Sequence, residues 1–157
     1  MIVLWSCGDL YKGYFDPRAG WLDLVSSRPA AGGEAHAVGE HFLFSVDEGG
    51  AFCHLGLDVG AAQATPPLER PPEVREALDA EVELPEECTP LWSFDPARGS
   101  LCVAFSGVSP ALWGRIGDNL LWLALDDGGR LAGLCFEGVS RDPGGKAQET
   151  WLEEVGL

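Results

Sequence analysis

Short blocks of this chain recur at a spacing of 79 residues, and a chain that repeats itself is confined to folds that two equivalent halves can share. Phe15-Asp16-Pro17-Arg18-Ala19-Gly20-Trp21-Leu22 aligns with Phe94-Asp95-Pro96-Ala97-Arg98-Gly99-Ser100-Leu101. Asp47-Glu48-Gly49-Gly50 aligns with Asp126-Asp127-Gly128-Gly129, and Leu55-Gly56-Leu57-Asp58 with Leu134-Cys135-Phe136-Glu137, at the same offset of 79. Val38–Phe44 aligns with Ile116–Trp122 at 78, so the second copy holds one extra residue. A one-residue slip swaps the two faces of a strand, so the surplus is expected within Leu120–Leu125, absorbed by a β-bulge.

The recurring residues are those that turns and cores require. In Asp-Pro-x-x-Gly, proline presets φ, aspartate bonds the backbone and glycine takes a positive φ. The Asp-Glu-Gly-Gly and Asp-Asp-Gly-Gly segments separate apolar runs, as hairpin turns do. Turn chemistry therefore accounts for Asp16, Asp95, Asp47 and Asp126 before any acid–base role. Strands are expected near Ile2–Ser6, Tyr11–Phe15, Trp21–Ser26, His41–Val46 and Ala51–Asp58. Their counterparts lie near Glu81–Leu84, Leu91–Phe94, Leu101–Phe105, Leu120–Leu125 and Arg130–Glu137. Pro71–Asp79 starts with proline and acidic residues, as a first helical turn prefers, and Gly145–Val155 closes the second copy as a helix. In the latter, Ala147, Trp151 and Val155 share a face that should dock on the sheet. Ala61–Pro72 reads as a proline-rich connector and Ala30–Glu34 as an exposed loop. The expected fold class is α+β: two tandem antiparallel sheet units, residues 1–79 and 80–157, with one short helix each. Each unit alone is marginal in size, so the two are expected to pack into one compact pseudo-two-fold body.

The chain carries 25 acidic against 10 basic residues, a net charge of −15. Nucleic-acid binding needs clustered Lys and Arg, so that class is excluded, and a basic protein is the partner the charge favours. No apolar run approaches the length of a membrane span, and no basic leader precedes the apolar start, so a cytoplasmic protein is expected. The five cysteines, Cys7, Cys53, Cys88, Cys102 and Cys135, are odd in number and widely spaced. That spacing argues against a disulfide framework or zinc knuckle, and Cys53, Cys102 and Cys135 read as small core hydrophobes.

Phe94-Asp95-Pro96 with Leu101, followed by Asp126-Asp127-Gly128-Gly129-Arg130-Leu131-Ala132-Gly133-Leu134 and Ser140, resembles a widespread bacterial family of small domains of unknown function. Its pattern is Tyr-Asp-Pro-x-x-Asp-x-Leu, then Asp-x-x-Gly-Arg-Leu-Val-Gly-Ile-Glu-Ile-Leu-x-x-Ser. The resemblance covers Phe94–Ser140 and, more faintly, Phe15–Val59. The family's second aspartate is Gly20 in one copy and Gly99 in the other, and the first copy has Gly50-Ala51-Phe52 in place of Gly-Arg-Leu. The resemblance implies a small antiparallel sheet with a helix and no known reaction. Some members resemble partners of small basic toxin-like proteins.

Three functional readings follow. The first is a non-enzymatic protein-interaction module with an acidic surface, for which Trp21 and Trp113, beside turns or loops, are interface candidates. The second is a small-ligand or metal-binding domain using His36, His41 and His54, all in the first copy, with Glu34, Glu40 and Asp58 as possible oxygen ligands. The second copy has Asn119 and Gly133 where His41 and His54 stand, so such a site exists once. The third is a small hydrolase in the groove between the copies. A nucleophile needs a base and an orienting group beside it, no Gly-x-Ser-x-Gly elbow is present, and Ser106 sits at a strand end. No phosphate-cradling loop appears, and no cofactor is expected.

Overall fold

The computed structural model describes residues 2–28, 33–38, 40–60, 68–71, 79–85 and 89–155. The first half forms β1 (Ile2–Trp5), β2 (Tyr11–Asp16), β3 (Trp21–Ser26), β4 (Glu34–Val38), β5 (Phe42–Val46) and β6 (Phe52–Asp58). The second forms β7 (Ala80–Glu83), β8 (Pro90–Asp95), β9 (Ser100–Phe105), β10 (Leu112–Arg115), β11 (Leu121–Leu125) and β12 (Leu131–Phe136). The chain then adds β13 (Ser140–Arg141), a 3-10 turn at Pro143–Gly145 and α1 (Lys146–Val155).

These strands make three sheets, ordered β13-β2-β3-β6-β5-β4, β10-β11-β12-β9-β8 and β1-β7. The β4-β5-β6-β3-β2 part of the first sheet has the order of the whole second sheet; the pairing of β5, β6, β3 and β2 matches residue for residue at +79, and that of β4 with β10 at +78. Leu22 faces Leu57 as Leu101 faces Phe136, and Phe42 faces Leu57 as Leu121 faces Phe136. Register slips at Ser45/Val46 in one sheet and at Ala124/Leu125 in the other. Since the bulge occurs in both, it does not hold the extra residue expected in Leu120–Leu125. That residue lies in the turn before β11, where four residues separate Ile116 from Leu121 against three between Val38 and Phe42. A turn lengthens without disturbing face alternation, whereas a strand cannot.

The turns behave as their chemistry demands. Asp16 Oδ1 accepts the backbone N–H of Arg18 at 2.9 Å, and Asp95 Oδ1 that of Ala97 at 3.0 Å. Gly20 and Gly99 close the two turns at φ of +65° and +67°. Asp126 accepts from the N–H groups of Gly128 and Arg130, as Asp47 does from Gly49 and Ala51. Backbone donors, Arg130 first for Asp126 and Arg18 first for Asp16, hold both carboxyls below their ordinary range.

Inward-facing residues of the two large sheets meet in one core. Phe42 packs on Trp92 with ring centroids 5.6 Å apart, and Phe44 on Phe105 at 6.4 Å. Phe15 and Phe94, 79 residues apart, touch each other at 5.0 Å. The β1-β7 ribbon closes one end, its Val3 facing Val82, also 79 apart, and both fully buried. Trp5 stacks on Phe52 beneath it at 4.0 Å.

The expected two α+β units are overturned. The molecule is mostly β, and among the described residues α1 is its one α-helix. The tail after β12 leaves its own half: β13 pairs in parallel with β2 of the first half, and α1 lies on the outer face of that sheet, Trp151 against Tyr14 and Val25. Ala147, expected on the docking face, is exposed. Of the helix expected at Pro71–Asp79, all but its two end residues lie outside the described residues, as do most of the Ala61–Pro72 connector and Cys88. Residues just before the expected boundary at 79 cross the other way. Leu68 bonds the Ser93 hydroxyl at 3.0 Å, and the Arg70 guanidinium lies 3.9 Å from the Trp122 ring centroid on the outer face of the second sheet.

Buried Asp142 positions α1. Its carboxylate accepts the N–H of Ala147 at 2.9 Å and of Gln148 at 3.0 Å, filling donors that a helix start leaves open. Asp142→Ala is expected to cost about 1–2 kcal/mol. Limited proteolysis should then cut α1 free faster than the sheets unfold.

Candidate functional site

The outer face of the first sheet carries polar side chains that the alternation of its strands sends outward. On β3, Leu22 and Leu24 enter the core while Trp21 and Asp23 face out; on β6, Leu55 and Leu57 go in while His54, Gly56 and Asp58 face out. Asp23 lies opposite Gly56, and His54 opposite Val25. Diagonal neighbours on a sheet face are within reach of long side chains. Asp23 Oδ1 accordingly meets His54 Nε2 at 2.5 Å and accepts the Trp21 indole N–H at 2.8 Å. The Trp21 ring lies over Gly56, where any Cβ would overlap it. Glycine at 56 is thus the residue that lets the indole lie flat and hold the carboxylate.

Between this face and α1 runs a cleft of about 490 Å³, lined by Val25, Ser45, Cys53, His54, Leu152 and Val155 with Arg28 and Gln148 at its rim. Burial pushes the Cys53 thiol up to about 11, which keeps it protonated at neutral pH. Arg28 is tied to Asp9 at 2.6 Å and approaches Asp47 at 3.8 Å.

The three histidines take separate partners. His36, on edge strand β4, pairs with Glu34 at 3.1 Å. His41, in the turn before β5, lies 4.0 Å from both Glu40 and Asp58 and edge-on to Trp92. His54 pairs with Asp23, a residue the sequence reading did not associate with it. Among the described residues, no group of three or more His, Cys, Asp or Glu side chains is placed to hold a metal ion. Of the interface candidates, Trp21 is half-buried and committed to Asp23 and Gly56, and Trp113 is half-buried on edge strand β10 opposite Ala124.

The second half has no such site. Ser100, Cys102, Gly133 and Cys135 replace Trp21, Asp23, His54 and Gly56, and Cys102 is joined to Cys135 by a disulfide, their Cα atoms 4.2 Å apart. This corrects the reading of both as free core hydrophobes. Their separation of 33 residues hides that they face each other directly across β9 and β12.

A second surface lies on the β1-β7 ribbon. Its inner row is Val3, Trp5, Ala80 and Val82; its outer row sets Ile2 opposite Glu83 and Leu4 opposite Glu81. Ile2 is 54% exposed and Leu4 37%, and among the described residues neither glutamate is ion-paired. Strand pairing fuses this patch to both halves, through bridges from Leu4 to Ala51 and from Glu83 to Arg130. Exposed Glu48 and Asp127 stand in the two hairpin turns that follow β5 and β11.

Fold and surfaces together define a mostly β protein of two facing sheets closed by a shared ribbon. No protein-family model matches the chain, and neither a curated protein nor a solved structure matches it. No helix among the described residues is long and apolar enough to cross a membrane.

Proposed function

We propose that the protein is an interaction module that takes a cationic, amphipathic protein segment on the outer face of the β1-β7 ribbon. The observation that carries this reading is the ribbon's grid of two exposed aliphatics opposite two carboxylates that, among the described residues, have no ion-pair partner. Such a face matches a partner that alternates Lys or Arg with apolar side chains. The charge balance supports it. Arg28, Arg70 and Arg130 are bonded to the protein's own carboxylates, and Arg115 to the carbonyls of Asp118 and Asn119. The excess of acid over base is therefore left to the surface. The scaffold we read as one sheet unit copied in tandem, supported by the shared 79-residue register.

The test is calorimetric titration with a synthetic peptide that alternates Lys and Leu, at low and high salt. Saturable binding that weakens with salt is expected. The pair Glu81→Gln with Glu83→Gln, and separately Ile2→Ser with Leu4→Ser, should each weaken it by about tenfold or more, or about 1.4 kcal/mol. The reading fails if no saturable binding occurs at low salt, or if both double variants bind as well as the parent.

A further inference from the structure

Three adjacent strands of the first sheet, in the order β5, β6, β3, bring Ser45, His54 and Asp23 into a row on one face. Ser45 pairs directly with His54, and both line the cleft under α1. Directly opposed residues of an antiparallel pair have Cβ atoms about 4.5–5.5 Å apart, so rotation about the serine Cα–Cβ bond carries its hydroxyl within reach of the imidazole. Among the described residues, that hydroxyl has no hydrogen-bond partner. Asp23 receives His54 at Nε2, which places the ring proton there and leaves Nδ1 as the basic nitrogen. Asp23 is itself fixed by the Trp21 N–H. A nucleophile beside a base, with the base oriented by a third group, is the arrangement that activates a serine. The neighbouring Cys53 is no rival, because burial keeps its thiol protonated.

We propose that Ser45, His54 and Asp23 form an acyl-transfer site that hydrolyses esters of small apolar acids, with Val25, Leu152 and Val155 walling the acyl chain. Ser45 Oγ attacks the ester carbonyl carbon and its proton passes to His54 Nδ1. The carbonyl–oxygen bond to the alcohol breaks, and the alcohol leaves with that proton. Water then attacks the acyl-serine, giving one proton to Nδ1. The carboxylic acid departs, and Ser45 recovers its proton from His54. Asp23 is a positioning residue, holding the ring with its Nε2 proton toward the carboxylate. The site uses only the first half of the chain and the wall supplied by α1. It occurs once, since Ala124, Gly133 and Cys102 stand at the matching places of the second sheet.

The experiment treats the full chain with a fluorophosphonate probe and maps the adduct by mass spectrometry, alongside turnover of p-nitrophenyl butyrate. One adduct per chain, on Ser45, is expected. Ser45→Ala and His54→Gln should abolish both labelling and turnover. Asp23→Asn should slow turnover at least about tenfold. It should also displace the pH–rate profile, which a purely structural loss leaves in place. The adduct map of the unaltered protein does not depend on any variant folding. Absence of an adduct on Ser45 after prolonged exposure, or undiminished turnover in Ser45→Ala, overturns the assignment.

Discussion

Phe105→Ala is expected to cost about 3–5 kcal/mol, a large share of what a protein this size has to lose. Phe105 is 1% exposed and belongs to β9, yet the rings it touches, Phe42 and Phe44, belong to β5 of the other sheet. Truncation therefore opens a cavity at the seam rather than within either half. Facing sheets cannot close over it without moving one against the other. The check is urea unfolding followed both by tryptophan fluorescence and by far-ultraviolet circular dichroism. Trp21 and Trp151 report on the first sheet, Trp122 on the second, and Trp92, packed on Phe42, on the seam itself. Both signals should shift to lower denaturant by the same amount. A loss below about 1 kcal/mol would show that the seam is not where the stability lies.

Gly99→Ala should also be costly, and it separates two turns of the same sequence type. Gly20 and Gly99 hold nearly the same left-handed backbone, which costs any other residue about 1–2 kcal/mol. Their surroundings differ. A Cβ on Gly20 meets nothing nearer than 3.9 Å. On Gly99 it would stand 2.5 Å from the carbonyl oxygen of Val139 and 3.0 Å from its nitrogen, in the segment that carries the chain toward β13 and α1. That segment is held there by the Val139 N–H bonding the Gly99 carbonyl at 2.9 Å. Overpacking against backbone adds about 1–3 kcal/mol to the strain. Gly20→Ala should therefore cost about 1–2 kcal/mol and Gly99→Ala about 2–5 kcal/mol by urea melts. Equal losses would mean that the crossing strand yields freely.

What the sequence displayed was chemistry confined to a few neighbouring residues. Asp-Pro-x-x-Gly and Asp-x-Gly-Gly announce themselves because aspartate, proline and glycine each do one local job there. The central strands show because Leu, Val and Phe alternate or run together. The edge strands were missed for the converse reason. Glu34-Ala35-His36-Ala37-Val38 has little β-forming character, and β10 is four residues long, so pairing with β5 and β11 makes them strands. The Asp23–His54 pair and the Cys102–Cys135 disulfide were hidden for one common reason. Each depends on the register between strands more than 30 residues apart, and register is a tertiary property. The 79-residue spacing carried part of that information, since it fixes which residue of one half matches which of the other. It is silent on which residue faces which across a sheet. The tail was misassigned because amphipathic spacing predicts that a helix has a face to bury and does not say whose sheet buries it.

The interaction surface and the ester site rest on the same architectural claim. The ribbon exists only while β1 and β7 are held together, and the cleft only while α1 from one half covers the sheet of the other. Native-state hydrogen exchange on β3, β6, β9 and β12 addresses that claim most directly. One shared opening free energy across all four strands, matching global unfolding, is the predicted result. Exchange of one sheet's central amides while the other's stay protected would contradict it.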